Sequence, residues 1–275
     1  MRILVTNDDG ISSVGLHRLA RAMTAHAEVV VVAPDREFSG AGAAVGAIHL
    51  MRPEVHQATV DGIGESWAVS GPPALCVFFA RLGAFGGPFD LVVSGINPGA
   101  NVGRSVYHSG TVGACLTARN GGWNGVAVSQ AVTGWGVEGQ AWDEMLVGQQ
   151  WDTAAEVASV YVGGLIAAGL PSEPVVANIN VPNVATADLL GWRRTSIDAK
   201  PIRGMSSATL DPIEGQEGSF KVAFDYGEAA ELPPDSDGGA VEAGFVSVSY
   251  ISRLTALDRD DLGGAEAALA SLVGG

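Results

Sequence analysis

The chain has 275 residues, enough to bury a core in one large domain or in a domain with an appendage. Hydrophobic residues make up 47% and charged residues 16%, which excludes a disordered chain and suits a sheet buried on both faces. The formal charge of −15, from 30 acidic and 15 basic residues, repels a phosphate backbone, so no nucleic-acid duplex is expected as a partner.

The opening MRILVTNDDG has neither the basic nor the apolar region of a secretion signal, and no apolar run is long enough to span a bilayer. A cytoplasmic protein without a membrane partner is expected. Ile3, Leu4 and Val5 form a short apolar run halted by Asn-Asp-Asp-Gly, which reads as a buried strand running into a turn. Leu16, Leu19, Ala20 and Met23 recur at helical spacing, and EVVVVAP from Glu28 to Pro34 reads as a second buried strand. Between Ile48 and Val69 short alternating stretches, broken by Pro53 and Asp61-Gly62, predict a hairpin-like excursion.

Helical spacing resumes at PPALCVFFARLGAF, where Pro72 and Pro73 stand as at a helix start. FDLVVSG (89–95) reads as a strand, GTVGACLTARN (110–120) as a helix and GVAVSQ (125–130) as a strand. A helix over about Asp143 to Ala168 and a strand over Pro174 to Pro182 continue the alternation, which predicts an α/β fold with a doubly wound, mostly parallel sheet. Cys76 and Cys115 lie in apolar stretches and read as buried thiols.

After about residue 190 the rhythm changes. SFKVAFDYG and GFVSVSYIS alternate like antiparallel strands, with DPIEGQEG and ELPPDSDGGA as polar loops and a terminal helix over Asp258 to Leu272. The expected division is therefore a catalytic domain over 1–190 and an oligomerisation extension over 191–275, which lacks an obvious core of its own. The acidic loops near Glu217 and Asp235 read as solvated faces, and the six tryptophans as packing groups.

Three strand ends carry polar groups: Asn7, Asp8 and Asp9 after the first, Ser39 in APDREFSGAG after the second, and Ser94, Asn97 and Asn101 in SGINPGANVG. In a parallel sheet all three open on one edge, where ligands bind. Adjacent carboxylates repel unless a cation or a proton offsets them, and carboxylate, hydroxyl and amide oxygens suit Mg²⁺, Mn²⁺ or Ca²⁺ rather than zinc. Taken singly, each of these residues reads first as part of a turn or a helix cap, and only their joint placement points to a metal. Ser109, Gly110 and Thr111 open a helix and read either as a phosphate cradle or as an ordinary N-cap. His108 stands open between general acid, ligand and pocket wall. GAFGGPFD is not a dinucleotide fingerprint, and no P-loop is present.

MRILVTNDDGI, VVAPDREFSG, LVVSGINPGANVG, HSGTVGA, NINVP and GFVSVS resemble, in order and spacing, the signature stretches of the SurE family, the stationary-phase survival nucleotidases. The resemblance runs from residue 1 to about 250. It implies a Rossmann-like domain with a C-terminal extension exchanged between subunits, a homodimer or homotetramer, and metal-dependent hydrolysis of nucleoside 5′- and 3′-monophosphates. By position it places one divalent ion per subunit on Asp8, Asp9, Ser39 and Asn97, with Asp8 and Asp9 catalytic. It places the phosphomonoester substrate on Asn97, Asn101, Ser109, Gly110 and Thr111. The sequence departs from the family pattern at Phe38, where arginine is usual, at Gly42-Ala43 in place of Gly-His, and at Pro72 and Leu75 in place of Thr and Asp. Those departures keep two further readings in view: a phosphatase for a specialised phosphorylated small molecule, and a metal- and phosphate-binding protein with little turnover.

Overall fold

Strands that bury both faces need a layer of helices on each side. The computed structural model, which describes residues 1–132, 146–200, 204–228, 230–252, 254–256 and 261–273, builds both layers. The parallel part of the sheet consists of β1 (Arg2–Thr6), β2 (Glu28–Pro34), β4 (Glu65–Val69), β5 (Leu91–Pro98), β6 (Asn124–Gln130) and β7 (Val176–Val181). With β3 (Val55–Gln57), β8 (Trp192–Arg194) and β11 (Val246–Ile251) it forms nine strands in the order β3-β4-β2-β1-β5-β6-β7-β11-β8.

Helix α1 (Val14–Met23) and helix α5 (Trp151–Ala168) cover one face. Leu16, Leu19 and Met23 of the first and Ala158 and Val162 of the second pack on Ile3, Val5 and Val93. The opposite face is covered by α3 (Pro73–Arg81) and α4 (Gly110–Asn120), whose Leu75, Val77, Ala114 and Ala118 meet Leu4, Val32 and Val92. The alternation along β1, with Ile3 and Val5 on one side and Leu4 on the other, is the two-residue period of a strand made visible. From β1 the chain winds towards β2 and β4; from β5 it winds the other way, towards β6 and β7. The winding therefore reverses between β1 and β5, and the crevice at their carboxyl ends is where such sheets take ligands.

The excursion over 48–69 consists of the short helix α2 (Ile48–Met51) and the antiparallel β3–β4 pair. Cys76 and Cys115 are free and buried, and burial pushes both thiols up. Helix α5 starts at Trp151, later than expected. Residues 143–145 of the expected start lie outside the described residues, and the Gln149 amide just before the helix is drawn aside to Gln130 Oε1 and the Ala131 carbonyl. The terminal helix, α7, spans Gly263–Val273; 257–260 lie outside the described residues.

After residue 190, β11 runs antiparallel to β7 and parallel to β8, so both strands extend the main sheet. Strand β10 (Phe220–Tyr226) pairs instead with β9 (Met205–Pro212), a strand the sequence pattern did not show. This hairpin stands apart, with Leu210, Phe220, Val222 and Phe224 all exposed. The register sets Phe220 opposite Pro212, Val222 opposite Leu210 and Phe224 opposite Ala208, so one face of the arm is apolar. Part of ELPPDSDGGA, read as a polar loop, is the helix α6 (Asp237–Glu242), capped by Ser236 and buried through Ala240 and Val241. Among the described residues no helix is long and apolar enough to cross a membrane.

Two helical glycines should answer oppositely to alanine. A Cβ on Gly15 would lie 2.2 Å from the Ile96 carbonyl oxygen of β5, whereas one on Gly164 in α5 meets nothing within 4 Å. Gly15→Ala is expected to cost about 3 kcal/mol by overpacking, and Gly164→Ala to gain about 0.5–1 kcal/mol from helix propensity. Urea unfolding of the two variants beside the native chain checks both signs.

Candidate functional site

Asp8 stands two residues beyond the end of β1, after Asn7, and is 3% exposed. Its carboxylate lies at the start of α4, where Thr111 Oγ1 donates to Oδ1 at 2.5 Å. A Cβ on Gly110 would come within 2.7 Å of Asp8 Oδ2, so only glycine lets the helix start this close to the carboxylate. Burial raises the Asp8 pKa; the Thr111 hydroxyl and the backbone amides of Thr111 and Gly110 pull it back. A carboxylate at a helix N-terminus is the favourable placement for the helix dipole.

Asp9 is held less completely. Its Oδ2 is buried without a hydrogen-bond partner. Burial, then the charges of Asp8 and Glu37, push its pKa up to about 8. The turn beneath the pair is locked by Asn7, whose Nδ2 donates to the Gly10 carbonyl at 3.1 Å and to Ser13 Oγ at 2.8 Å; Ser13 in turn caps α1.

The loop carrying Ser39 is trapped between the end of β1 and the start of α4. The Phe38 amide donates to the Asp8 carbonyl at 2.7 Å, and the Gly42 amide to the His108 carbonyl at 3.0 Å. Gly113 of α4 accepts the loop: a Cβ there would lie 2.1 Å from the Gly42 carbonyl oxygen. Ser39 itself is exposed on this loop. The Arg36 guanidinium stacks over the Phe38 ring, 5.2 Å from its centre, and lies 3.9 Å from the Asp35 carboxylate.

Asn97 stands at the carboxyl end of β5, next to β1. Its Nδ2 donates to the Gly99 carbonyl at 2.7 Å, which leaves the amide oxygen as its ligand atom. Asn101 is buried and seated from beneath. Its amide donates to Asn180 Oδ1 at 2.7 Å, its carbonyl accepts from Asn178 Nδ2 at 2.9 Å and Asn180 Nδ2 at 3.2 Å, and its Nδ2 donates to Ser129 Oγ at 2.9 Å. Ser109 caps α4, its Oγ accepting from the Val112 amide at 3.1 Å. His108 is exposed immediately before it.

The structure thus brings the Asp8–Asp9 turn, the Ser39 loop and the Ser109–Thr111 helix start into direct contact, with Asn97 at the adjacent strand end. Thr111 and Gly110 face Asp8, so the carboxylate fills part of the helix start. Asn178 and Asn180, which seat Asn101, escaped the sequence reading. Their signal was NIN, two amides at alternate positions of an otherwise apolar strand, both fully buried.

Two adjacent carboxylates with raised pKa values, one buried and the other half-buried with an unpartnered buried oxygen, require a proton or a cation between them. Among the described residues no group of three or more His, Cys, Asp or Glu gathers at one point. An ion here would therefore rest on two carboxylates completed by hydroxyl and amide oxygens, a donor set that fits a hard divalent cation.

The chain is similar to known proteins along most of its length. The family described as Survival protein SurE matches residues 3–203. A protein named 5′-nucleotidase SurE from Marinomonas sp. (strain MWYL1) is 36% identical over 255 residues, covering 91% of each chain. One of the same name from Acinetobacter baumannii (strain AYE) is 37% identical over 261 residues, covering 91% of this chain and 93% of the relative. The crystal structure of the SurE protein from Aquifex aeolicus superposes with a TM-score of 0.75 at 27% identity, covering 98% of this chain and 99% of that one.

The Asp9 carboxyl, with a folded pKa of about 8, holds a proton that the unfolded chain releases near the ordinary carboxylate pKa of about 3.9. In metal-free protein its contribution to stability is greatest below about pH 4 and is lost as pH rises towards 8. The melting temperature of EDTA-treated protein should fall between pH 5 and pH 8, and Asp9→Asn should flatten that slope. A native profile as flat as that of the variant would contradict the shift.

Proposed function

The chain belongs to the SurE family, and on that premise we propose that its site hydrolyses nucleoside 5′- and 3′-monophosphates to nucleoside and phosphate, using one divalent ion per subunit. It is a phosphoric monoester hydrolase of the 5′-nucleotidase type. The observation that carries the reading is the Asp8–Asp9 pair at the winding reversal of the sheet, Asp8 buried and Asp9 with a buried oxygen that has no partner.

Asp8, Asp9, Ser39 and Asn97 would hold Mg²⁺, Mn²⁺ or Ca²⁺. Such an ion supplies charge neutralisation at the phosphoryl oxygens and a more acidic bound water. The chain's own groups do the rest. Asp8 is fixed by Thr111 and cannot turn away. Asp9, which gives up its proton once a cation offsets the charge of the pair, would accept the proton of the attacking water at Oδ2 as the new P–O bond forms. The start of α4 at Ser109, Gly110 and Thr111, with Asn101 and Asn97 beside it, orients the phosphate by its N-terminal partial charge. His108, exposed at the rim, delivers a proton to the ester oxygen as its bond to phosphorus breaks.

The departures from the family pattern fall into two groups. Pro72 and Leu75 are buried at the start of α3, where Leu75 belongs to the apolar core. Phe38 lies on the site loop and carries Arg36 on its ring, so the loop's cation comes from two residues earlier. The ring at position 38, where the family pattern has an arginine, keeps a second reading in view: a phosphorylated small molecule other than a nucleotide as the preferred substrate. The apolar face of the β9–β10 arm supports a homodimer or homotetramer in which 191–275 is exchanged between subunits. The two free thiols suit a reducing cytoplasm.

Asp8→Asn and Asp9→Asn should each remove calorimetric Mn²⁺ binding and lower kcat/KM by at least about a hundredfold, with circular dichroism unchanged. Unchanged Mn²⁺ affinity in both would sink the metal assignment. A panel of nucleoside monophosphates against sugar phosphates ranks the two substrate readings. In sedimentation the full chain should run as a dimer or larger; a monomer at micromolar concentration contradicts the proposed assembly.

A further inference from the structure

Among the described residues, one carboxylate besides Asp8 is fully buried. Asp237 opens α6 with no exposed surface. Three backbone amides converge on it: Gly103 N–H donates to Oδ2 at 2.8 Å, Gly238 N–H to Oδ1 at 2.9 Å and Asp198 N–H to Oδ1 at 3.2 Å. Gly103 lies 134 positions away in sequence and begins the one-turn 3₁₀ helix Gly103–Tyr107, which leads through His108 to the Ser109 cap of α4. Two residues before Gly103, Asn101 is seated on Asn178 and Asn180.

We propose that Asp237 is a positioning residue for the phosphate-side segment 101–111, acting through the Gly103 amide. Burying a carboxylate is costly unless amides of fixed position meet it, and three such amides do. The same residue touches the root of the β9–β10 arm through both backbone and side chain. Asp237 N–H donates to the Ser196 carbonyl at 2.9 Å, Ser196 bridges Ser236, and Asp198 N–H reaches the carboxylate itself. Asp237 therefore fixes the segment before the catalytic helix to the point where the arm leaves and returns. The kinetic part of its test rests on the phosphomonoesterase reading; the structural part does not.

Asp237→Asn keeps the shape but offers one acceptor oxygen to three amides, so it cannot hold both Gly103 and the arm root. Ser236→Ala is the control, because it removes the cap of the same helix, whose Oγ accepts from the Gly239 amide at 3.1 Å, without touching Gly103. With Mn²⁺ and p-nitrophenyl phosphate, Asp237→Asn is expected to raise KM roughly tenfold while kcat moves by less than about threefold, and Ser236→Ala to leave KM unchanged. Amide hydrogen exchange over 102–109 should accelerate in the first variant and not in the second. Equal KM and equal exchange in Asp237→Asn and native protein would overturn the proposal. Should the native chain fail to turn over the ester, the phosphatase reading falls, and hydrogen exchange alone decides the role of Asp237.

Discussion

A carboxylate buried against a helix start governs the rest of this molecule. Asp8 can be 3% exposed only because α4 begins with Gly110, which leaves room for it, and Thr111, which donates to it. The Ser39 loop then reaches the pair because Gly113, one turn further along the same helix, has no side chain to exclude it. Three segments distant in sequence are brought to one point by two missing side chains on α4. The pair is not fully satisfied from within: Asp9 keeps an oxygen without a partner, which leaves the site receptive to a cation in place of a proton.

The scaffold around that pair divides its work by chemistry. The apolar layers on both faces fix the strands and hence the positions of their ends. The segment from Asn97 to Ser109 has few apolar side chains and is held instead by directional bonds from Asn178, Asn180, Ser129 and Asp237. Apolar packing specifies distance loosely, whereas hydrogen bonds to buried amides specify orientation, which a site handling a tetrahedral phosphoryl group requires.

Most of the parallel sheet was legible because apolar strands and amphipathic helices alternate with clear punctuation, and Glu28–Pro34 is recovered residue for residue. The common edge of Asp8, Asp9, Ser39 and Asn97 was legible because the ends of parallel strands share it, and β2, β1 and β5 do lie side by side. Three things were not. Strand β9 has the residues Met-Ser-Ser-Ala-Thr-Leu-Asp-Pro, too polar and too exposed for a pattern based on burial to find. Asp237 lies in an acidic stretch that reads as solvated, and only the arrival of the Gly103 amide from 134 residues away shows otherwise. Thr111 read as a group facing phosphate; its hydroxyl donates to Asp8, a partner 103 positions away that local sequence cannot name.

The arm between Ser196 and Ser236 has its two roots bridged side by side. Strands β8 and β11, which flank it, pair with one another within the main sheet. In topological terms the arm is an insertion: a detour that begins and ends at one place and adds no step to the winding of the sheet. The core can consequently fold and close its chain path whatever the detour's length, since lengthening a closed loop costs only slowly increasing entropy. Such a segment can change in length at little cost to the strands on either side, and it is rooted beside Asp237, the residue that also meets the Gly103 amide.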